Sequence, residues 1–278
     1  MAASAELKAL VERMPDPDGR GAYTNIDKET VEKAVADIHK GGRENVLGLI
    51  DMLVEPGGGN DIKPRYALHA LAVHVCTLKD EKVRTEFART VASQQAGRPT
   101  GVQRFLIRQL QVAGGAEVVE TLGKALLDAA LCDWAARALV TIGKGAADRF
   151  LAALPKVNGR SRLVIMQGLA AVGDPKAATV FQQAVSDGDS DIRIVATWGL
   201  AGIGDAGSAD ALLKAADGHK GWERIQHTNA CLLLAETLAA AGKKSAAARI
   251  YTHLRDTRTK PAEGYIRKAA ERGLAVAT

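Results

Sequence analysis

The chain has 278 residues, of which 47% are hydrophobic and 25% charged, so it can bury a packed core and lacks the composition of a disordered chain. No run of 18 apolar residues occurs, which argues against a membrane-spanning helix. The net charge of +5 is unevenly placed: residues 1–55 carry an acidic excess and residues 219–278 a basic one, a difference read first as solvated helical surface.

Aromatic residues make up only 4%, so the core must come from Ala, Leu, Val and Ile, which suits closely packed helices. In chain order, residues 4–14 and 28–40 read as helices, the second capped by Asp27, with a turn-rich segment between them. The start of the chain lacks the basic-then-apolar layout of a secretory leader, so a cytoplasmic location is expected, or export if a leader was removed ahead of Met1. Segments 44–55 and 63–75 form a predicted pair, and so do 80–94, capped by Asp80, and 101–115. Shorter apolar-periodic stretches follow at 117–128, 146–157, 176–187 and 207–217, each succeeded by a second helix that stops at a glycine. The chain ends in a predicted hairpin, 244–256 and 264–277, whose Ala247 to Leu254 pattern has some TPR character. No segment alternates as a strand would.

The closing glycines Gly114, Gly143, Gly173 and Gly204 are spaced by about 30 residues, and a fifth block closes at Gly242 after a longer step of 38. Each unit of two helices is too small to bury its own apolar face, so the units must stack. The expectation is an all-α fold, a right-handed α-solenoid of stacked antiparallel helical hairpins. It would form one body over 1–278: an N-terminal helical cap (1–43), repeats (44–218), and a long helix with a capping hairpin (219–278).

The stretch around Asp191, Arg193, Gly199, Gly204 and Asp205 resembles HEAT repeats, most of all the short subtype named after phycobilisome lyases. Arg162, Gly173 and Asp174 match the preceding unit, although that unit has no D-x-R. The resemblance is good over about 101–218 and looser on either side. It implies a curved stack with the second (B) helices on the concave side, used mainly for protein binding. Some relatives are chromophore lyases, hydroxylases with paired His-Glu metal motifs, or DNA-handling proteins; no paired His-Glu motif occurs here.

Helical phase suggests where a partner would bind. Counting back from each closing glycine, positions 1, 4, 5, 8 and 9 form the core face, so positions 3, 6, 7 and 10 face away. Position 6 holds Arg108, Arg137, Gln167, Trp198 and Glu236; position 7 holds Ile107, Ala136, Met166, Thr197 and Ala235. Leu163 and Ile194 occupy position 10. The expected partner surface therefore has Trp198, Met166, Leu163 and Ile194 as apolar anchors, flanked by Arg108 and Arg137.

Other candidates read mainly as structural. Arg162 and Arg193 suit either an anion-binding row or, the reading adopted, a ladder bonding acceptors of adjacent units. Pro56-Gly57-Gly58-Gly59-Asn60, followed by Lys63 and Arg65, could cradle phosphate, but no strand precedes it and no Gly-Lys-Ser/Thr follows. His69 and His74 lack metal-ligand spacing and His227 and His253 read as isolated, so neither metal nor other cofactor is expected. The cysteines Cys76, Cys132 and Cys231 are far apart in apolar blocks and read as buried thiols. Arg255, Arg258, Lys260, Arg267 and Lys268 could form an anion site for nucleic acid. The leading expectation is a non-catalytic scaffold for a protein partner. A nucleic-acid binder and a HEAT-type enzyme such as a chromophore lyase are the alternatives.

Overall fold

Local chemistry starts the helices where the sequence places them. The Asp27 carboxylate accepts a hydrogen bond from the Thr30 amide, and that of Asp80 accepts from the Lys82 and Val83 amides. Both satisfy amides that a helix start leaves without intrahelical partners. The computed structural model describes residues 3–24 and 26–277. Met1 and Ala2, in the stretch compared with a leader, Asn25, in the turn-rich segment, and Thr278, after the last predicted helix, lie outside the described residues.

Among those residues the chain is all-α, with sixteen α-helices, a few 3-10 turns and no strand. It divides into two compact units, residues 1–149 and 150–278. The first begins with α1 (Ala5–Val11) and α2 (Lys28–Lys40). Three hairpins follow: α3 (Gly42–Asp51) with α4 (Ile62–Thr77), α5 (Glu81–Ser93) with α6 (Thr100–Ala113), and α7 (Val119–Ala125) with α8 (Cys132–Ile142). The division falls inside α9 (Ala146–Ala153).

The second unit contains α10 (Gly159–Val172), then α11 (Ala178–Ala184) with α12 (Ser190–Ile203) and α13 (Ala209–Gly218) with α14 (Gly221–Ala240). The hairpin of α15 (Lys244–Thr257) and α16 (Gly264–Ala277) closes it. No described helix is long and apolar enough to cross a membrane.

The first helices of the hairpins α7–α8 and α11–α12 have only seven residues, too few to be stable alone in water. Tertiary burial holds them: Leu122 and Phe181 are fully buried. The second helices end as the glycines foretell, since Gly173 and Gly204 adopt left-handed φ values of 66° and 73° that side chains with a Cβ rarely take.

The middle B helix of each unit has three neighbours. In the first unit α6 packs against α5, α4 and α8; in the second, α12 packs against α11, α10 and α14. These two B helices are therefore covered by their own partner on one side and by the B helices before and after them on the flanks.

Candidate functional site

The lateral packing of B helices corrects the expected partner surface. Position 7 is buried throughout: Ile107, Ala136, Met166, Thr197 and Ala235 all have 5% exposure or less. Met166 is thus a core residue, not a surface anchor. The helical phase marked the side away from the hairpin partner, but α12 covers the flank of α10. The outward row runs instead through position 6, where Arg108, Arg137, Gln167 and Glu236 are exposed.

Trp198 also belongs to this row but is half-buried, and its indole N–H donates to the Gln226 amide oxygen at 3.1 Å. Leu163 and Ile194 are likewise half-buried. Arg108 and Arg137 lie in the first unit, where the Arg137 guanidinium sits 5.9 Å from the centre of the Trp134 ring.

The arginine ladder is present and longer than the sequence reading had it. Arg162 pairs with Asp187, in the loop before α12. Arg193 forms a two-pronged pair with Glu223, in the first turn of α14, at 2.6 and 3.0 Å, and donates to the Asp187 carbonyl. Arg224 repeats the pattern by donating to the Ala216 carbonyl and pairing with Glu263. Residues 162, 193 and 224 are separated by 31 each time. Each guanidinium ties its B helix to a carboxylate of the following hairpin, the use for which a planar two-donor fork is suited.

This register also explains the irregular fifth block. The repeat length remains 31 up to Arg224, and the 38-residue step from Gly204 to Gly242 exceeds it by seven residues, about two helical turns added to α14. Two turns preserve the facing of side chains, so Glu236 still points outward. In the arginine register, Leu163 and Ile194 are followed by Ile225, which is 42% exposed. The neighbouring Trp222 is 69% exposed.

The basic C-terminal residues do not form one anion site. Arg258 is only 1% exposed and pairs with Asp217 at 2.7 Å. Arg255 is held by the adjacent Asp256, and Arg267 donates to the Thr259 carbonyl. Lys260 and Lys268 are exposed. The cluster fails because α15 and α16 pack together with Arg258 turned inward, a distinction that a count of basic residues misses. The glycine loop likewise has its cations engaged: Lys63 pairs with Glu12, and Arg65 with Asp61 and the Val54 carbonyl.

A polar cluster that the sequence reading missed lies at the start of α14. His219, Glu223 and His227 fall four residues apart, and their ligand atoms lie within 4.8 Å of one another. Their four-residue spacing is visible in the sequence, where His227 nevertheless reads as isolated and His219 is not singled out. His227 is fully buried, and burial pushes its imidazole below the usual histidine range. Hydrogen bonding from Arg193 holds the Glu223 carboxyl below its usual range. His219 lines a groove of about 630 Å³ together with Asp187, Arg193 and Lys214.

Residues 147–232 match the family model of HEAT repeats. Among solved structures, an engineered protein is similar at 19% identity over 98% of this chain and 78% of that chain, with a TM-score of 0.45. The complex of CpcE and CpcF of phycocyanin lyase from Nostoc sp. PCC7120 is similar at 16% identity over 82% of this chain and 94% of that chain, with a TM-score of 0.41. Human deoxyhypusine hydroxylase, in complex with glycerol, is similar at 15% identity over 98% and 96%, with a TM-score of 0.33. No curated protein matches. The stretch 147–232, in which the arginine register recurs, is thus similar to HEAT repeats, within a chain whose described residues are all-α.

Proposed function

We propose that the chain is a non-catalytic scaffold that binds a protein partner through the outward B-helix surface of residues 150–278. One observation carries this reading: Leu163, Ile194 and Ile225 occupy the same register position on three successive B helices and all stay partly exposed. Trp198 stands one turn from Ile194, and Trp222 one turn from Ile225. Side chains of this type in a row across a stack provide anchor positions for an apolar partner segment. Gln167 and Glu236 on the same outward side supply a polar rim. Met166 takes no part, and Arg108 and Arg137, in the other unit, are not required.

The test is affinity capture from the source lysate with wild type and an Ile225→Ser, Trp222→Ala variant, both residues being exposed enough to replace without opening the core. Circular dichroism checks that helicity is equal. The proposal expects a protein captured by wild type and lost from the variant. Equal capture by both moves the site elsewhere, and capture of nucleic acid alone favours the basic-surface reading.

A further inference from the structure

The protonation pattern of two histidines is set by their neighbours. Thr197 donates its hydroxyl proton to the Ile194 carbonyl at 2.9 Å, so its oxygen must accept from the His227 Nδ1–H, 3.0 Å away. His219 Nδ1 lies 2.8 Å from the Ala215 carbonyl, which can only accept, so that nitrogen also carries a proton. In their neutral forms both rings therefore present a bare Nε2 lone pair. The two Nε2 atoms lie 3.3 Å (His219) and 3.4 Å (His227) from the same oxygen, Glu223 Oε1. Three atoms with lone pairs thus converge on one small volume; the Arg193 guanidinium answers the carboxylate, while both Nε2 lone pairs stay turned toward it.

We infer that His219 Nε2, His227 Nε2 and Glu223 Oε1 form a site for one divalent transition-metal cation of the zinc class. The distances suit it. Zinc bonds to imidazole nitrogen and carboxylate oxygen at about 2.0–2.1 Å, which gives a tetrahedron edge of about 3.3–3.4 Å between ligand atoms. The second sphere suits it too: each ring donates its other N–H to a fixed oxygen, the arrangement that orients metal-binding imidazoles. His227 is held rigidly in the core, while the partly exposed His219 has freedom to complete the set. Arg193 occupies one lone pair on each Glu223 oxygen, leaving Oε1 a second with which to bind the cation. The groove beside His219 leaves the fourth position accessible to water or to a donor atom from a bound molecule.

The experiment uses the full chain without a polyhistidine tag, titrated with Co²⁺ and with Zn²⁺. The inference expects one tight equivalent of either ion, visible Co²⁺ bands of four-coordinate type, displacement of Co²⁺ by Zn²⁺ and a rise in Tm with Zn²⁺. His219→Ala, at a partly exposed position, should stay folded by circular dichroism and lose at least about tenfold in affinity. His74→Ala should leave binding unchanged; it breaks the other close imidazole pair, His39 with His74, whose rings are 5.3 Å apart. No stoichiometric uptake overturns the assignment, as does equal affinity in wild type and His219→Ala, or loss of binding in His74→Ala alone.

Discussion

The ring of Phe181 lies so close to Gly199 that a Cβ added to the glycine would sit 2.5 Å from ring carbons. Phe150 and Gly168 repeat this contact one 31-residue repeat earlier. In each case the first helix of a hairpin inserts an aromatic knob where the second helix has no side chain, so a short helix is fixed by one deep contact. Gly199→Ala should destabilise the chain: overpacking costs about 1–3 kcal/mol, against a gain of about 1 kcal/mol in helix propensity. Gly202→Ala, on the same helix with open space around it, should stabilise by about 0.4–1 kcal/mol. Urea unfolding of both variants reads the opposite signs, and equal shifts would refute the knob-and-gap account.

Arg193→Lys should cost about 1 kcal/mol although the charge is kept, because an ammonium cannot reproduce the two-pronged bond to Glu223 while also reaching the Asp187 carbonyl. The same change at Arg108, which is exposed, should fall within about 0.5 kcal/mol of wild type. Chemical denaturation of the two variants in parallel provides the comparison.

Stability should fall in acid through the same ladder. Hydrogen bonds from Arg193 and Arg162 lower the Glu223 and Asp187 pKa values in the folded chain from the ordinary 4.5 and 3.8. The unfolded chain binds these protons more readily, so the contribution is complete above the ordinary values and is lost as pH drops through them toward the folded ones. Thermal melts in a pH series should show Tm flat near neutrality and falling below about pH 5. Glu223→Gln should flatten part of that fall.

Thiol chemistry should separate the cysteines. Cys231 is fully buried and desolvation pushes its pKa up to about 12, so almost no thiolate exists at neutral pH. Cys76 is only partly buried. Alkylation of the native protein followed by mass spectrometry should modify Cys76 well before Cys231. Modification of Cys231 at the Cys76 rate would mean that the core around α14 opens readily.

The periodic part of this architecture was legible because it depends on local pattern. Asp27 and Asp80 cap the helices predicted for them, and Gly173 and Gly204 end the helices predicted to stop there. Met166 was misplaced because exposure on a B helix depends on the helices of adjacent repeats, which the phase of one helix does not contain. Arg258 was misplaced for a related reason: its burial arises from the packing of the α15–α16 hairpin and its pairing with Asp217. Arg224 escaped notice because the two added turns of α14 shifted the glycine used as a ruler, whereas the arginine register kept its 31-residue step. The His219–Glu223–His227 set straddles the start of α14, and only the fold shows that both Nδ1 atoms are already committed.

The most direct test of the scaffold reading is hydrogen–deuterium exchange on the chain alone and with its captured protein partner. The account predicts added protection concentrated at residues 160–167, 191–198 and 222–229, where Leu163, Ile194, Trp198, Trp222 and Ile225 lie. Protection confined to the first helices of the hairpins, or to residues 1–149, would contradict it.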